Sequence, residues 1–143
     1  MVPQISATIL QGSTFALPLI REYWPYPVRF ECGQWVKDGC GTPAPDSDKT
    51  AEDYTGCTAR MQLRRSIDAL DVISERTTEN GGIALVGNKL TVKWSAAETS
   101  DFKYGSRQPA WCTAVGQVEV IRPNGDVERQ YEITFSLDPE GTR

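Results

Sequence analysis

The feature that most constrains this chain is a two-residue alternation of apolar and polar side chains, repeated in several separate segments. Successive side chains of an extended strand point to opposite faces, so a sheet with one buried face needs this period. In Thr58 to Arg64, Ala59, Met61 and Leu63 fall on one face and Arg60, Gln62 and Arg64 on the other. Leu90, Val92 and Trp94 alternate with Thr91 and Lys93, and Val118 and Val120 flank Glu119. The longest run interleaves Tyr131, Ile133, Phe135 and Leu137 with Glu132, Thr134 and Ser136. Phe15, Leu17 and Leu19 form a further run, and Pro18 within it marks an edge strand, because proline cannot donate to a ladder.

Turn chemistry separates these runs. Pro123-Asn124-Gly125-Asp126 lies between two alternating segments, and Asn-Gly is the preferred pair where a tight hairpin needs positive φ. Asn80-Gly81-Gly82 precedes Ile83 to Val86, and Gly87-Asn88 then precedes Lys89 to Trp94, which predicts a second hairpin. Helix is expected for a turn at most, at Ser66 to Asp71 and at Ser95 to Phe102. In the second, Ser95 is an N-cap with Glu98 three residues on. Many short strands with almost no helix predict an all-β domain of two packed antiparallel sheets, a β-sandwich. At 143 residues, one domain over 1–143 is expected.

Two segments break the pattern. Residues 22–53 are rich in Pro, Gly, aromatic residues and Cys without periodicity, and form a long irregular excursion from the sandwich; 103–114 is a second, with Tyr104, Trp111 and Cys112. Loops this long are either functional or disordered, and a segment holding Trp24, Tyr26, Phe30 and Trp35 is poorly suited to disorder. Such rings either build a satellite core or meet another chain. Trp and Tyr are common interface anchors, so Trp24, Tyr26, Trp35 and Trp111 are the candidate interface residues. The four cysteines, Cys32, Cys40, Cys57 and Cys112, permit three complete pairings. A local Cys32–Cys40 bridge with a long-range Cys57–Cys112 bridge is preferred, against free thiols and against a zinc site that lacks the usual close cysteine pairs.

Composition narrows the function. A formal net charge of −4 and a pI near 4.9 argue against nucleic acid as a partner. Arg60, Arg64 and Arg65 read as the solvated face of a strand. No apolar stretch is long enough to span a bilayer, and Met1 to Leu10 has no basic start of a secretory leader. The absence of histidine removes the commonest general base and the Ser-His and Cys-His nucleophile pairs, so no enzymatic activity is expected. Asp46, Asp48, Glu52 and Asp53 lack the spacing of a calcium loop and read as solvated acids; no metal or other cofactor is expected.

Several stretches, taken in order, resemble the N-terminal immunoglobulin-like domain of phage baseplate upper proteins. They are Gln11-Gly12-Ser13-Thr14-Phe15, Asp53 to Arg64, Thr78 to Leu85, Ser95 to Thr99, Gly125-Asp126-Val127 and Leu137 to Arg143. The resemblance covers roughly two-thirds of the chain. It implies an immunoglobulin-like sandwich serving as a structural piece of a virion, a tail or baseplate adaptor where fibres or receptor-binding proteins attach. It also implies other virion proteins as partners, several symmetry-related copies, and synthesis in the bacterial host cytoplasm, where thiols stay reduced until lysis. A capsid decoration or neck-collar protein is one alternative, and a carbohydrate-binding host-adhesion module using Trp24, Trp35 or Trp111 is another. The sequence departs from the family in its longer 22–52 segment, in its expanded 103–114 segment, and in Cys57, where the family usually has an aromatic residue.

Overall fold

Alternation becomes sheet where expected. The computed structural model describes residues 2–102 and 113–138. In chain order the strands are β1 (Gln4–Leu10), β2 (Phe15–Ile20), β3 (Glu22–Tyr23), β4 (Val28–Glu31), β5 (Gln34–Lys37), β6 (Thr50–Ala51), β7 (Thr58–Arg64), β8 (Ser74–Thr77), β9 (Ile83–Val86), β10 (Lys89–Trp94), β11 (Thr113–Ile121) and β12 (Val127–Asp138). A short helix, α1 (Ala96–Ser100), follows β10. A five-stranded sheet has the order β1-β12-β11-β7-β8 and a three-stranded sheet the order β2-β10-β9; β3-β6 and β4-β5 are separate two-stranded pairs.

Both larger sheets send side chains into one apolar cluster. Met61 and Leu63 of β7, Val118 and Val120 of β11, and Ile133 and Phe135 of β12 meet Leu90, Val92 and Trp94 of β10, all of them buried. Trp94 is the hub: its ring lies 5.4 Å from Phe135, 5.7 Å from Phe15 and 5.8 Å from Phe102, with the Phe135 and Phe102 contacts edge-on. Such ring pairs add roughly 0.5–1.5 kcal/mol each beyond area burial. Its indole N–H is satisfied by Ser74 Oγ at 3.0 Å.

The β11–β12 hairpin turns at Asn124-Gly125 and the β9–β10 hairpin at Gly87-Asn88, as their turn residues predict. Between Val118 and Glu119 the β11–β12 register slips by one residue. The extra residue on β12 is Gln130, which is buried beside Tyr131 and accepts a 2.7 Å hydrogen bond from the Tyr54 hydroxyl. Pro18 sits in β2 at the edge of its sheet, opposite Thr91. The Arg21 N–H bonds the Asn88 carbonyl, so odd-numbered residues of β2 face β10 and the nitrogen of Pro18 faces outward, where no donor is needed. At α1 the Ser95–Glu98 capping box forms in both directions. Thr99 then locks the helix to the β1–β2 turn, accepting from the Gly12 N–H and donating to the Ser13 carbonyl.

Three expectations are corrected. The five-stranded sheet is not purely antiparallel, since β1 runs parallel to β12 from Gln4↔Glu132 to Leu10↔Asp138. Ser66 to Asp71 forms bends and a turn without helix. Residues 22–53 are not irregular: they contain β3 to β6 and a 3-10 turn at Asp46–Asp48. Of the second segment, 103–112, with Trp111 and Cys112, lies outside the described residues, and Thr113 and Ala114 already belong to β11.

Candidate functional site

The β4–β5 hairpin and its flanks form an aromatic arm between β3 and β6. Glu31 pairs with Gln34, which leaves Cys32-Gly33 as a two-residue turn with both φ values positive, 51° and 80°. That is the handedness a tight hairpin requires, and Cys32 adopts it against the preference of a side-chain-bearing residue. Val36 and Ala44 are buried beneath the hairpin, held by the Ala44 N–H to Trp35 carbonyl bond of 3.0 Å. On this base the rings of Trp24, Trp35 and Phe30 form a chain, with centroids 5.7 Å and 5.3 Å apart.

Polar groups fix the inner rings. The Trp24 indole N–H donates to the Pro45 carbonyl at 3.0 Å, and Lys49 Nζ lies 4.5 Å from its ring centroid. The Tyr26 hydroxyl donates to Asp48 at 2.7 Å, and Lys37 Nζ lies 4.9 Å from that ring. Loss of solvation and the Asp48 carboxylate together push the Tyr26 phenol up to about 12. Arg29 bridges Glu31 and Asp38 along the outer face. The outer rings remain open: Phe30 is 62% and Trp35 46% exposed.

A buried ion cluster anchors the arm to the larger sheets. Glu52, directly after β6, is 7% exposed. It receives a two-pronged contact from Arg122 at 2.8 and 2.9 Å, Arg21 Nε at 3.3 Å and the Asp53 N–H at 3.0 Å. Arg122 also binds Glu128 at 2.7 Å. The Arg122 hydrogen bonds hold the Glu52 carboxyl below the usual carboxylate range, against the opposing effect of burial. The same contacts raise the Arg122 guanidinium. Main-chain bonds from Arg21 N–H to Asn88 and from Tyr54 N–H to Gly87 tie both ends of the arm to the β9–β10 turn.

No family model and no curated protein matches this chain.

Of the candidate interface residues, Trp24 and Tyr26 are half-buried and satisfied within the arm, so they build it, while Trp35 is presented outward. Trp111 lies outside the described residues. Phe30, not among those candidates, is the most exposed ring of the arm. The preferred Cys32–Cys40 bridge is overturned: Cys32, Cys40 and Cys57 are free thiols, and Cys112 lies outside the described residues. The reason is the hairpin itself. Cys32 occupies its closed tip, whereas Cys40 follows β5 at the open end, where Asp38 N–H meets the Pro27 carbonyl. Strand residues rise ~3.3 Å each, which separates the two well beyond the ~7 Å limit for bridged Cα atoms. Cys40 instead meets Thr42 at 3.1 Å, and that contact, helped by Lys37, lowers its thiol. Glu52, read as a solvated acid, is the buried keystone described above. Asp46 pairs with Lys49 and Asp53 with Thr55, and among the described residues no cluster of acids or thiols could hold a metal ion.

Proposed function

We propose that this protein is a partner-binding structural module of a tailed-phage particle, an immunoglobulin-like β-sandwich that docks a neighbouring virion protein through its aromatic arm. The strand orders support the fold assignment. The order β2-β10-β9 corresponds to strands B-E-D of that fold, and β7, β11 and β12 to C, F and G, with β8 added beside C. The arm then falls between B and C, among loops that immunoglobulin-like domains commonly use for recognition. The phage assignment is supported by the sequence resemblance. One departure is that the buried tryptophan is on β10, whereas antibody domains carry theirs on strand C.

The observation that carries the docking role is the exposure of Phe30 and Trp35 on a hairpin whose own inner rings, cations and acids are already paired. Rings held in place before binding lose little entropy on docking, which suits them as interface anchors. A protein partner is favoured over a sugar. The Phe30 and Trp35 planes meet at 66°, and Lys49 and Trp35 crowd Trp24, so no flat stacking platform is presented. The acids that would ligate sugar hydroxyls are engaged, Asp48 by Tyr26 and Asp38 by Arg29. Its work is binding, with no reaction.

Mass spectrometry of gradient-purified particles, with heads and tails separated, tests this reading. The wild-type chain should copurify with tails, and a Phe30→Ala/Trp35→Ala variant, folded but unanchored, should be lost from them. Recovery with heads would move the protein to a capsid-decoration or neck-collar position. Absence from particles, with glycan binding by the free chain, would replace the adaptor by an adhesion module.

A further inference from the structure

The sheet edges differ in how they are closed to other strands. The edge of β2 is blunted by Pro18, β8 carries Glu75 and Arg76, and β9 is only four residues long. Prolines, charges and short lengths are the usual devices that keep an edge from pairing. β1 has none of them: Gln4–Leu10 reads QISATIL, seven residues with no charge and no proline. Among the described residues, no strand pairs with its outer side.

The groups that face outward can be named. The Pro3 carbonyl accepts from Glu132 N–H, and the Gln11 N–H donates to the Asp138 carbonyl, so odd-numbered residues of β1 address β12. The main-chain groups of Gln4, Ser6, Thr8 and Leu10 therefore point away from the sheet, and the side chains of these four are exposed. Ile5, Ala7 and Ile9 turn to the core, with Ile5 and Ala7 only partly covered at its margin.

We propose that β1 is a self-association edge, pairing antiparallel with β1 of a second copy of this chain across a two-fold axis. An isologous contact brings two copies of the same strand together, so any net charge on the strand is doubled along the contact and repels itself. β1 carries no charge to oppose. With Ala7 on the axis, Ser6 stands opposite Thr8 of the second copy and Gln4 opposite Leu10. All four are outward-facing residues, so each pair can exchange N–H···O=C bonds in the narrow antiparallel pattern. The second copy's Ile5 and Ala7 would extend the apolar margin.

Sedimentation velocity of the full chain over a wide concentration range, with amide exchange at Ser6 and Thr8, provides the test. The wild-type chain should dimerise with rising concentration and slow exchange at those two amides. Ser6→Lys/Thr8→Lys should weaken association at least about tenfold by setting lysine against lysine. Mixing it with Ser6→Glu/Thr8→Glu should restore the dimer as a heterodimer. Thr8→Pro should also abolish association, while the Ala7 and Ile9 amides, which bond β12, stay protected and report an intact fold. A chain that remains monomeric throughout, a dimer indifferent to these substitutions, or protection of Ser6 and Thr8 only when a different protein is added would each overturn the proposal.

Discussion

Replacing Glu52 with Gln keeps the volume of the keystone and removes its charge, which turns the arm's attachment into a measurable quantity. The native carboxylate accepts two bonds from Arg122, one from Arg21 and one from the Asp53 N–H. The amide nitrogen introduced by Glu52→Gln would instead confront a guanidinium donor. Removing one partner of a buried ion pair costs about 3–5 kcal/mol. Arg122 keeps Glu128, and Arg122 and Arg21 retain 22% and 30% side-chain exposure through which water can compensate. A loss of about 2–3 kcal/mol at pH 7 is therefore expected, read from urea unfolding with an unchanged slope. The pH dependence has a definite sign. Because folding lowers the Glu52 carboxyl, its contribution is present above the unfolded value of about 4.3 and is lost as pH falls through the lower folded value. The gap between wild type and variant should thus begin to narrow as pH falls below about 4. Asp53 and Glu98 are lowered as well, so the wild-type chain keeps some acid sensitivity, and the difference isolates Glu52. A gap under about 0.5 kcal/mol at pH 7, or one of equal size at pH 3, would refute the keystone role.

Other expectations concern single positions. Cys32→Asn should slow amide exchange across β4 and β5 by relieving the positive φ of 51°, a gain of about 0.5–1 kcal/mol; unchanged exchange would count against the strained turn. Gly116→Ala should destabilise by about 1–3 kcal/mol in denaturant titration, because a Cβ there would lie 2.5 Å from Sδ of buried Met61. Combined with Met61→Ala, its cost should be less than additive. Ser95→Ala should lower stability by about 1 kcal/mol, as its hydroxyl accepts the Glu98 N–H in the capping box.

Legibility in the sequence follows the range of the contacts. Thr58 to Arg64 alternates without interruption and is β7 to the residue, and Asn124-Gly125 makes its hairpin with local turn chemistry. The Ser95 cap is readable for the same reason. β1 escapes notice although Ile5, Ala7 and Ile9 alternate with Gln4, Ser6 and Thr8, because Leu10 breaks the pattern and its partner is β12 at the other end of the chain. The arm reads as irregular because its strands are two to four residues long, too short for a period to show. Its tip also uses Cys32, which announces no turn. Trp24, Tyr26 and Trp35 stand out in the sequence as a group, but which rings face outward depends on hydrogen bonds to Pro45 and Asp48 that no pattern encodes. Glu52 is the clearest case of a tertiary effect. Beside Asp53 it resembles any solvated acid, and only the fold brings Arg122, 70 positions away, against it.

Hydroxyl-radical footprinting of the free chain and of assembled particles tests the docking claim most directly, since it reports ring by ring which aromatic residues touch solvent. Phe30 and Trp35 should react readily in the free chain and be shielded in the particle, with Trp94 shielded in both. Equal reactivity of Phe30 and Trp35 in the two states would contradict docking through the arm.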